Sequence, residues 1–328
     1  MGRMFWTDML AVMALLLLRL TVWAGDPGES DSRPSPENDG RMTVMFWNLE
    51  NFFDFIDGGA GESDAEFSSA GTRRWTKSRF YRKCSAVAKT VLWAGLPDIV
   101  GVAEVENRFV LRQLVTKTAL RKLDYESVHF DSPDPRGIDC ALLYRASRLT
   151  LVDARPCRVS APGLQTRDIL LAQFRTPDRD SLAVLVNHHP SKYGNGETDW
   201  RREVAVARLR ALGDSLAASG WSRLVAVGDF NDTPDNPLFR QLEPAFSLCR
   251  QDGTGRGSIR FNGEWQLIDL CFVSPDLAGG TSFRVLDPPF LTDRDAAHSG
   301  VKPFRTYSGP RYLGGVSDHR PILVCLEK

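Results

Sequence analysis

Leu224-Val225-Ala226-Val227-Gly228-Asp229-Phe230-Asn231-Asp232-Thr233-Pro234 decides how the rest of the chain is read. Its apolar, β-branched start reads as a buried strand, and the polarity switches where Gly228 and Pro234 mark a turn. Asp229 and Asn231 therefore fall at the carboxyl end of a strand, two residues apart. If the backbone stays extended there, both side chains point to one side. A carboxylate and a carboxamide presented together suit a catalytic pair, although Gly, Asp and Asn are also ordinary turn residues.

Working outward, the same pattern recurs. Thr43-Val44-Met45-Phe46-Trp47 reads as a central strand ending at Asn48, and Asp98 to Ala103 as another ending at Glu104. Leu182 to Asn187 leads into His188, and the strand around Gln266 to Val273 has Asp269 set inside it. Asp318-His319 precedes a closing strand from Pro321 to Leu326. Further strands are expected over Tyr125–Phe130, Asp139–Tyr144, Leu149–Arg155 and Asp168–Phe174. Phe80, Cys84, Val87 and Val91 recur at helical spacing, as do Val206, Leu209, Leu212 and Leu216, and a further helix follows Glu104. Asp57 to Gly71 and Phe304 to Gly315 read as loops. Alternating strands and helices predict sheets covered by helices in one domain over 42–328.

Composition bounds the rest. The chain has 328 residues, 42% of them hydrophobic, enough for a large core. With 41 basic and 41 acidic residues it is no polybasic coat, so phosphate recognition must be local. Residues 1–24 read as a signal peptide: Arg3, an apolar run from Leu10 to Leu18 and a Val22-Trp23-Ala24 cleavage site. Residues 25–41 read as a disordered linker. The expectation is a secreted or periplasmic protein without stable membrane insertion after signal cleavage. Cys140, Cys271 and Cys325 lie inside apolar runs, so the six cysteines read as buried small hydrophobes rather than disulfides. Thiolates and imidazoles are not clustered at zinc spacing.

Trp47-Asn48-Leu49-Glu50-Asn51, Val102-Ala103-Glu104-Val105-Glu106-Asn107, Val186-Asn187-His188, Gly228-Asp229-Phe230-Asn231, Ile268-Asp269 and Ser317-Asp318-His319 occur in the order seen in the endonuclease/exonuclease/phosphatase superfamily, which the chain resembles from Met42 onward. That superfamily includes pancreatic-type deoxyribonucleases, abasic-site endonucleases, neutral sphingomyelinases and inositol polyphosphate 5-phosphatases. The resemblance implies an α/β fold, a four-layer α/β/β/α sandwich of two stacked mixed sheets with the site at one end. It implies metal-assisted hydrolysis of a phosphodiester, with Mg²⁺, or Mn²⁺, as the hard cation. Glu104 would be the main ligand, with Asn48 and Asp318 beside it. His319 would be held by Asp269, Asp229 would orient or deprotonate water, Asn231 would donate to a phosphate oxygen, and His188 would face the phosphate from the opposite side. Asn187, Arg202 and Arg305 are the candidate substrate contacts. Asp229 and His319 both remain candidates for the base, His189 competes with His188, and Glu106 competes with Glu104. The leading expectation is a nuclease; the alternatives are a sphingomyelinase-like or small-molecule phosphodiesterase or phosphatase, and a non-catalytic binding module.

Overall fold

The computed structural model describes residues 41–327 apart from 60, 179, 193–195 and 253–255. The expected signal peptide and all of the expected linker but Arg41 lie outside the described residues. No helix among the described residues is long and apolar enough to cross a membrane.

Two six-stranded sheets carry the fold. The first is built from β1 (Met42–Phe52), β2 (Ile99–Val105), β3 (Tyr125–His129), β4 (Asp139–Arg145), β11 (Thr281–Val285) and β12 (Ile322–Leu326), in the order β11-β12-β1-β2-β4-β3. The second combines β5 (Thr150–Cys157), β6 (Ile169–Arg175), β7 (Ser181–His188), β8 (Leu224–Asp229), β9 (Ser247–Leu248) and β10 (Asp269–Val273), in the order β5-β6-β7-β8-β10-β9. β1 and β2 run parallel, as do β7 and β8, while their outer neighbours run antiparallel, so both sheets are mixed.

The strands read as continuous apolar runs because both of their faces are buried. Met45, Trp47 and Leu49 face α1 (Lys77–Trp93) and α2 (Arg108–Lys117), whereas Val44 and Phe46 face the other sheet. In β7, Val184 and Val186 lie between the sheets, while Ala183 and Leu185 pack towards α3 (Asp199–Ala218). Three apolar clusters thus separate four layers, helix, sheet, sheet, helix.

Several boundaries differ from the sequence reading. β1 continues past Asn48 to Phe52, with a register shift against β2 and with Glu50 and Asn51 at φ of 46° and 50°. The stretch from Gln266 to Val273 is broken: Glu264–Gln266 closes a hairpin with Ile259–Phe261, and the strand proper starts at Asp269. A short helix, Glu62–Glu66, interrupts the first expected loop, and the second contains a small hairpin, Tyr307–Ser308 with Arg311–Tyr312.

Candidate active site

The parallel pairs place the carboxyl ends of β1, β2, β7 and β8 together. His188 is in register with Asp229 across β7 and β8, and Asp269 with Asp229 across β8 and β10. The Ser-Asp-His segment is tied to the same end from the other sheet. Ser317 Oγ donates to the Asn48 carbonyl at 2.6 Å and accepts from the His319 amide at 2.9 Å, and Trp47 Nε1 donates to the His319 carbonyl at 2.9 Å. Asn48, Glu104, His188, Asp229, Asn231, Arg305, Asp318 and His319 line one cavity of about 210 Å³.

Asp229 is its centre. Its carboxylate accepts from Asn48 Nδ2 at 3.0 Å and from the Asn231 amide at 2.9 Å, and lies 3.6 Å from His188 Nε2 and 3.7 Å from His319 Nε2. Burial pushes its pKa up to about 7, against the opposing pull of His319. His319 Nδ1 meets Asp269 Oδ2 at 2.7 Å. Burial alone would depress this imidazole, but Asp269 and Asp229 together hold its pKa well above 6.5. His188 is the opposite case: burial first, then the nearby guanidinium of Arg167, keeps it neutral. Their surroundings thus drive the two rings apart, His319 towards the imidazolium and His188 towards the neutral imidazole.

The other wall is acidic. Glu104 Oε2 accepts from the Asn51 amide at 2.7 Å, and its Oε1 lies 3.4 Å from Arg136 and 4.0 Å from His188. Arg305 bridges Glu50 at 3.2 Å and Asp318 at 3.0 Å. Beneath them Lys83, fully buried, donates to the Glu50 carbonyl at 2.7 Å and to Thr306 Oγ1 at 2.9 Å. Burial, reinforced by Asp318, lifts Glu50 to about 7, and burial lowers Lys83 to about 8. Glu50, Glu104 and Asp318 line this cavity together with the Asn48 carboxamide, and carboxylate and amide oxygens are the donors that a hard divalent cation takes. At this end of the sheets the ligand atoms that lie within 4.8 Å of one another are those of Asp229, Asp269 and His319, and there Asp269 Oδ2 is already paired with His319 Nδ1.

Two expected contacts are not brought to the cavity. Asn187 is buried, its Nδ2 donating to the Leu185 and Val227 carbonyls at 2.9 Å and 3.4 Å. The strands are so close there that a Cβ on Gly228 would meet Asn187 O at 2.3 Å, so the amide acts inside the sheet. Arg202 is likewise buried; it pairs with Asp199 and lies 3.3 Å from the buried Asp232, whose other oxygen binds Lys192 at 2.7 Å. It braces the turn after β8. Arg202→Met is therefore expected to lower unfolding stability by about 1–3 kcal/mol, because it removes the buried cation beside Asp232 and leaves that carboxylate to Lys192. Urea denaturation measures this, and the KM for substrate should move little.

Two alternatives are separated by position. His189 points away from the cavity against the Phe230 ring, centroids 4.6 Å apart, and burial drops its pKa to about 3. Glu106 accepts from the Asp54 amide at 2.6 Å and does not line the cavity. Period-two spacing fails here because Glu104 sits at φ 61°, a left-handed kink that turns the following residues away. Asn231, at φ 51°, has also left the extended state, yet it reaches the cavity while donating Nδ2 to the His189 carbonyl at 2.9 Å.

The sequence reading missed Arg136 and Arg167, which complete the lining. Asp134 holds both: its Oδ1 accepts from the Arg136 amide and its Oδ2 from Arg167 Nη1 at 2.8 Å. Arg136 Nη2 then reaches Asn51 at 2.6 Å. Only the Asp-Pro-Arg-Gly turn hints at this in the sequence.

A sequence model described as Endonuclease/Exonuclease/phosphatase family matches residues 43–328. The chain belongs to this family. The family assignment also agrees with its structural likenesses. The human Nocturnin catalytic domain with bound sulfate superposes at a TM-score of 0.56, with 18% identity over 88% of this chain and 93% of that one. A Bacteroides thetaiotaomicron mannosyl-6-phosphatase gives 0.57, with 19% identity over 88% and 100%. A truncated Caenorhabditis elegans TDP2 gives 0.58, with 16% identity over 88% and 98%. These support the fold. In sequence, rat Nocturnin is 23% identical over 250 residues, 68% of this family member and 54% of the relative. The chain spans about half the length of the curated relatives it matches.

Proposed function

We propose that this protein is an exported, divalent-metal-dependent phosphodiesterase, with Mg²⁺ or Mn²⁺ as cofactor and nucleic acid as substrate. The observation that carries the reading is Asp229, shared between an imidazolium and a neutral imidazole and facing an all-oxygen acidic wall across one small cavity.

The residues divide the work as follows. Asp229, lifted by burial, accepts the proton from a water molecule as its oxygen attacks phosphorus. His319 is charged and so unsuited to be the base; its Nε2–H stabilises the phosphoryl oxygen on which charge accumulates. Asp269 fixes that ring's tautomer and charge. His188 and Asn231 offer neutral donors to the remaining phosphoryl oxygens, with Arg136, Arg167 and Arg305 around them. Glu104, Asp318, Glu50 and Asn48 would hold the cation, which when bound polarises a phosphoryl oxygen and offsets charge on the departing one.

A small-molecule phosphoester is the second reading, favoured by the cavity volume, which fits a phosphate group and its ester oxygens rather than a long substrate. A lipid substrate finds less support. Phe52, Phe53 and Leu291, which an apolar rim would need exposed, are in the core, Phe290 packs on Trp93, and the exposed Ile56, Val152 and Phe261 sit on separate segments.

The test is nicking of supercoiled plasmid and hydrolysis of bis(p-nitrophenyl) phosphate, each with Mg²⁺ and with chelator. Metal-dependent nicking that Glu104→Gln removes is the expected result. Hydrolysis of the small diester without nicking would overturn the nucleic-acid substrate and keep the chemistry. Activity surviving chelation would overturn the metal.

A further inference from the structure

The charge balance of the whole chain hides a local excess. Residues 70–83 and 303–317 contain Arg73, Arg74, Lys77, Arg79, Arg82, Lys83, Arg305 and Arg311, and no aspartate or glutamate. The fold joins these two segments. The amino-terminal half of α1 packs on the hairpin Tyr307–Tyr312, with the Arg79 guanidinium 4.1 Å from the centroid of the Tyr312 ring. Tyr307 Oη donates to the Arg73 carbonyl at 2.9 Å, and Arg73 reaches the Gly309 carbonyl at the hairpin tip. Arg82 lies against Gly314, where a Cβ would approach its Nη1 to 3.9 Å.

Four members are already engaged: Arg73 pairs with Glu66, Arg305 with Glu50 and Asp318, Lys83 is buried beneath the cavity, and Arg79 Nη1 donates to the Arg73 and Arg74 carbonyls at 3.0 Å and 2.9 Å. Arg74, Arg82 and Arg311 are exposed, and neither they nor Arg79 have an ion-pair partner among the described residues. The patch begins at the cavity rim, because Arg305 precedes Thr306 and the hairpin directly and Lys83 continues the helix that carries Arg79 and Arg82.

We propose that this face is the track along which a nucleic-acid strand leaves the cavity, its successive phosphates lying on Arg82, Arg79, Arg74 and Arg311. The inference rests on the nucleic-acid reading above and adds where the strand runs. The aromatic rings here are not free platforms for bases. Tyr312 is covered by Arg79, and Tyr307 packs edge-on against Phe67 and Tyr312. Contact is therefore to phosphate, and binding is independent of sequence and sensitive to salt.

Binding without turnover tests it: fluorescence anisotropy of a labelled oligonucleotide in chelator, with salt varied between about 50 and 200 mM. Arg74→Gln, Arg82→Gln and Arg311→Gln are combined in one variant, and its thermal unfolding is compared with wild type to confirm folding. The expected result is at least about a tenfold weaker Kd at low salt, and a slope of log affinity against log salt reduced by about two to three, one phosphate per arginine. A folded variant that binds as wild type does would overturn the track while leaving any plasmid nicking, and so the nuclease reading, intact. Wild-type protein that hydrolyses bis(p-nitrophenyl) phosphate but binds no oligonucleotide would overturn both. Preference for phosphatidylserine vesicles over the oligonucleotide would overturn the track in favour of a membrane surface.

Discussion

Asp229→Asn is expected to lower kcat by about two to four orders of magnitude, the range associated with removing a positioned general base. The substitution keeps the side-chain shape, and its single oxygen can still accept from the Asn231 amide, while its nitrogen replaces the oxygen that accepts from Asn48 Nδ2. What disappears is the acceptor for the proton of the attacking water and the charge opposite His319. Wild-type activity should rise with pH as the Asp229 carboxyl, lifted by burial to about 7, becomes ionised. A cation in the same cavity favours the carboxylate, so with metal present this limb lies below pH 7. The variant should lack the limb altogether. A pH profile of kcat/KM decides the matter: a variant that retains the wild-type limb would reassign the base to another group, with His319 the first candidate.

How far the sequence reaches into this site follows from which features are local. The site end of the strands was legible because apolar runs buried on both faces meet a polar residue at Asn48, Glu104, His188 and Asp229, although β1 itself runs on to Phe52. Which of two neighbouring residues points inward was harder. His188 and His189 lie on opposite faces of the strand end, as period two requires. Glu104 and Glu106 should have shared a face, and they do not, because Glu104 takes a left-handed backbone that no pattern of side chains announces. The arginines were the least legible. Arg202 looked like a substrate contact and is spent on Asp232, while Arg136 and Arg167, which no motif singled out, line the cavity. An arginine's reach is set by the partner that holds it, and Asp134 lies outside every motif in the chain. Glu50 and Lys83 escaped for a related reason: a lysine on a helix reads as solvated until the packing shows it beneath a carboxylate wall.

Asp269→Asn should be nearly as costly, at about two to three orders of magnitude in kcat, although Asp269 never meets the phosphate. Its Oδ2 is the partner of His319 Nδ1 at 2.7 Å, and with Asp229 it holds the ring protonated. An asparagine there removes the charge and can present its amide nitrogen to the ring, favouring the wrong tautomer and a neutral imidazole that no longer stabilises phosphoryl charge. Stability supplies an independent readout. A histidine whose folded pKa is raised above its unfolded value near 6.5 contributes stability fully present below that pH, which is lost as the pH rises through the folded value. In chelator, the difference in unfolding free energy between wild type and Asp269→Asn should therefore be wide near pH 6 and narrow steadily above pH 6.5. A gap that stays constant across this range would mean that Asp269 only packs against His319 and does not set its charge. The loss of activity would then have to come from ring orientation alone.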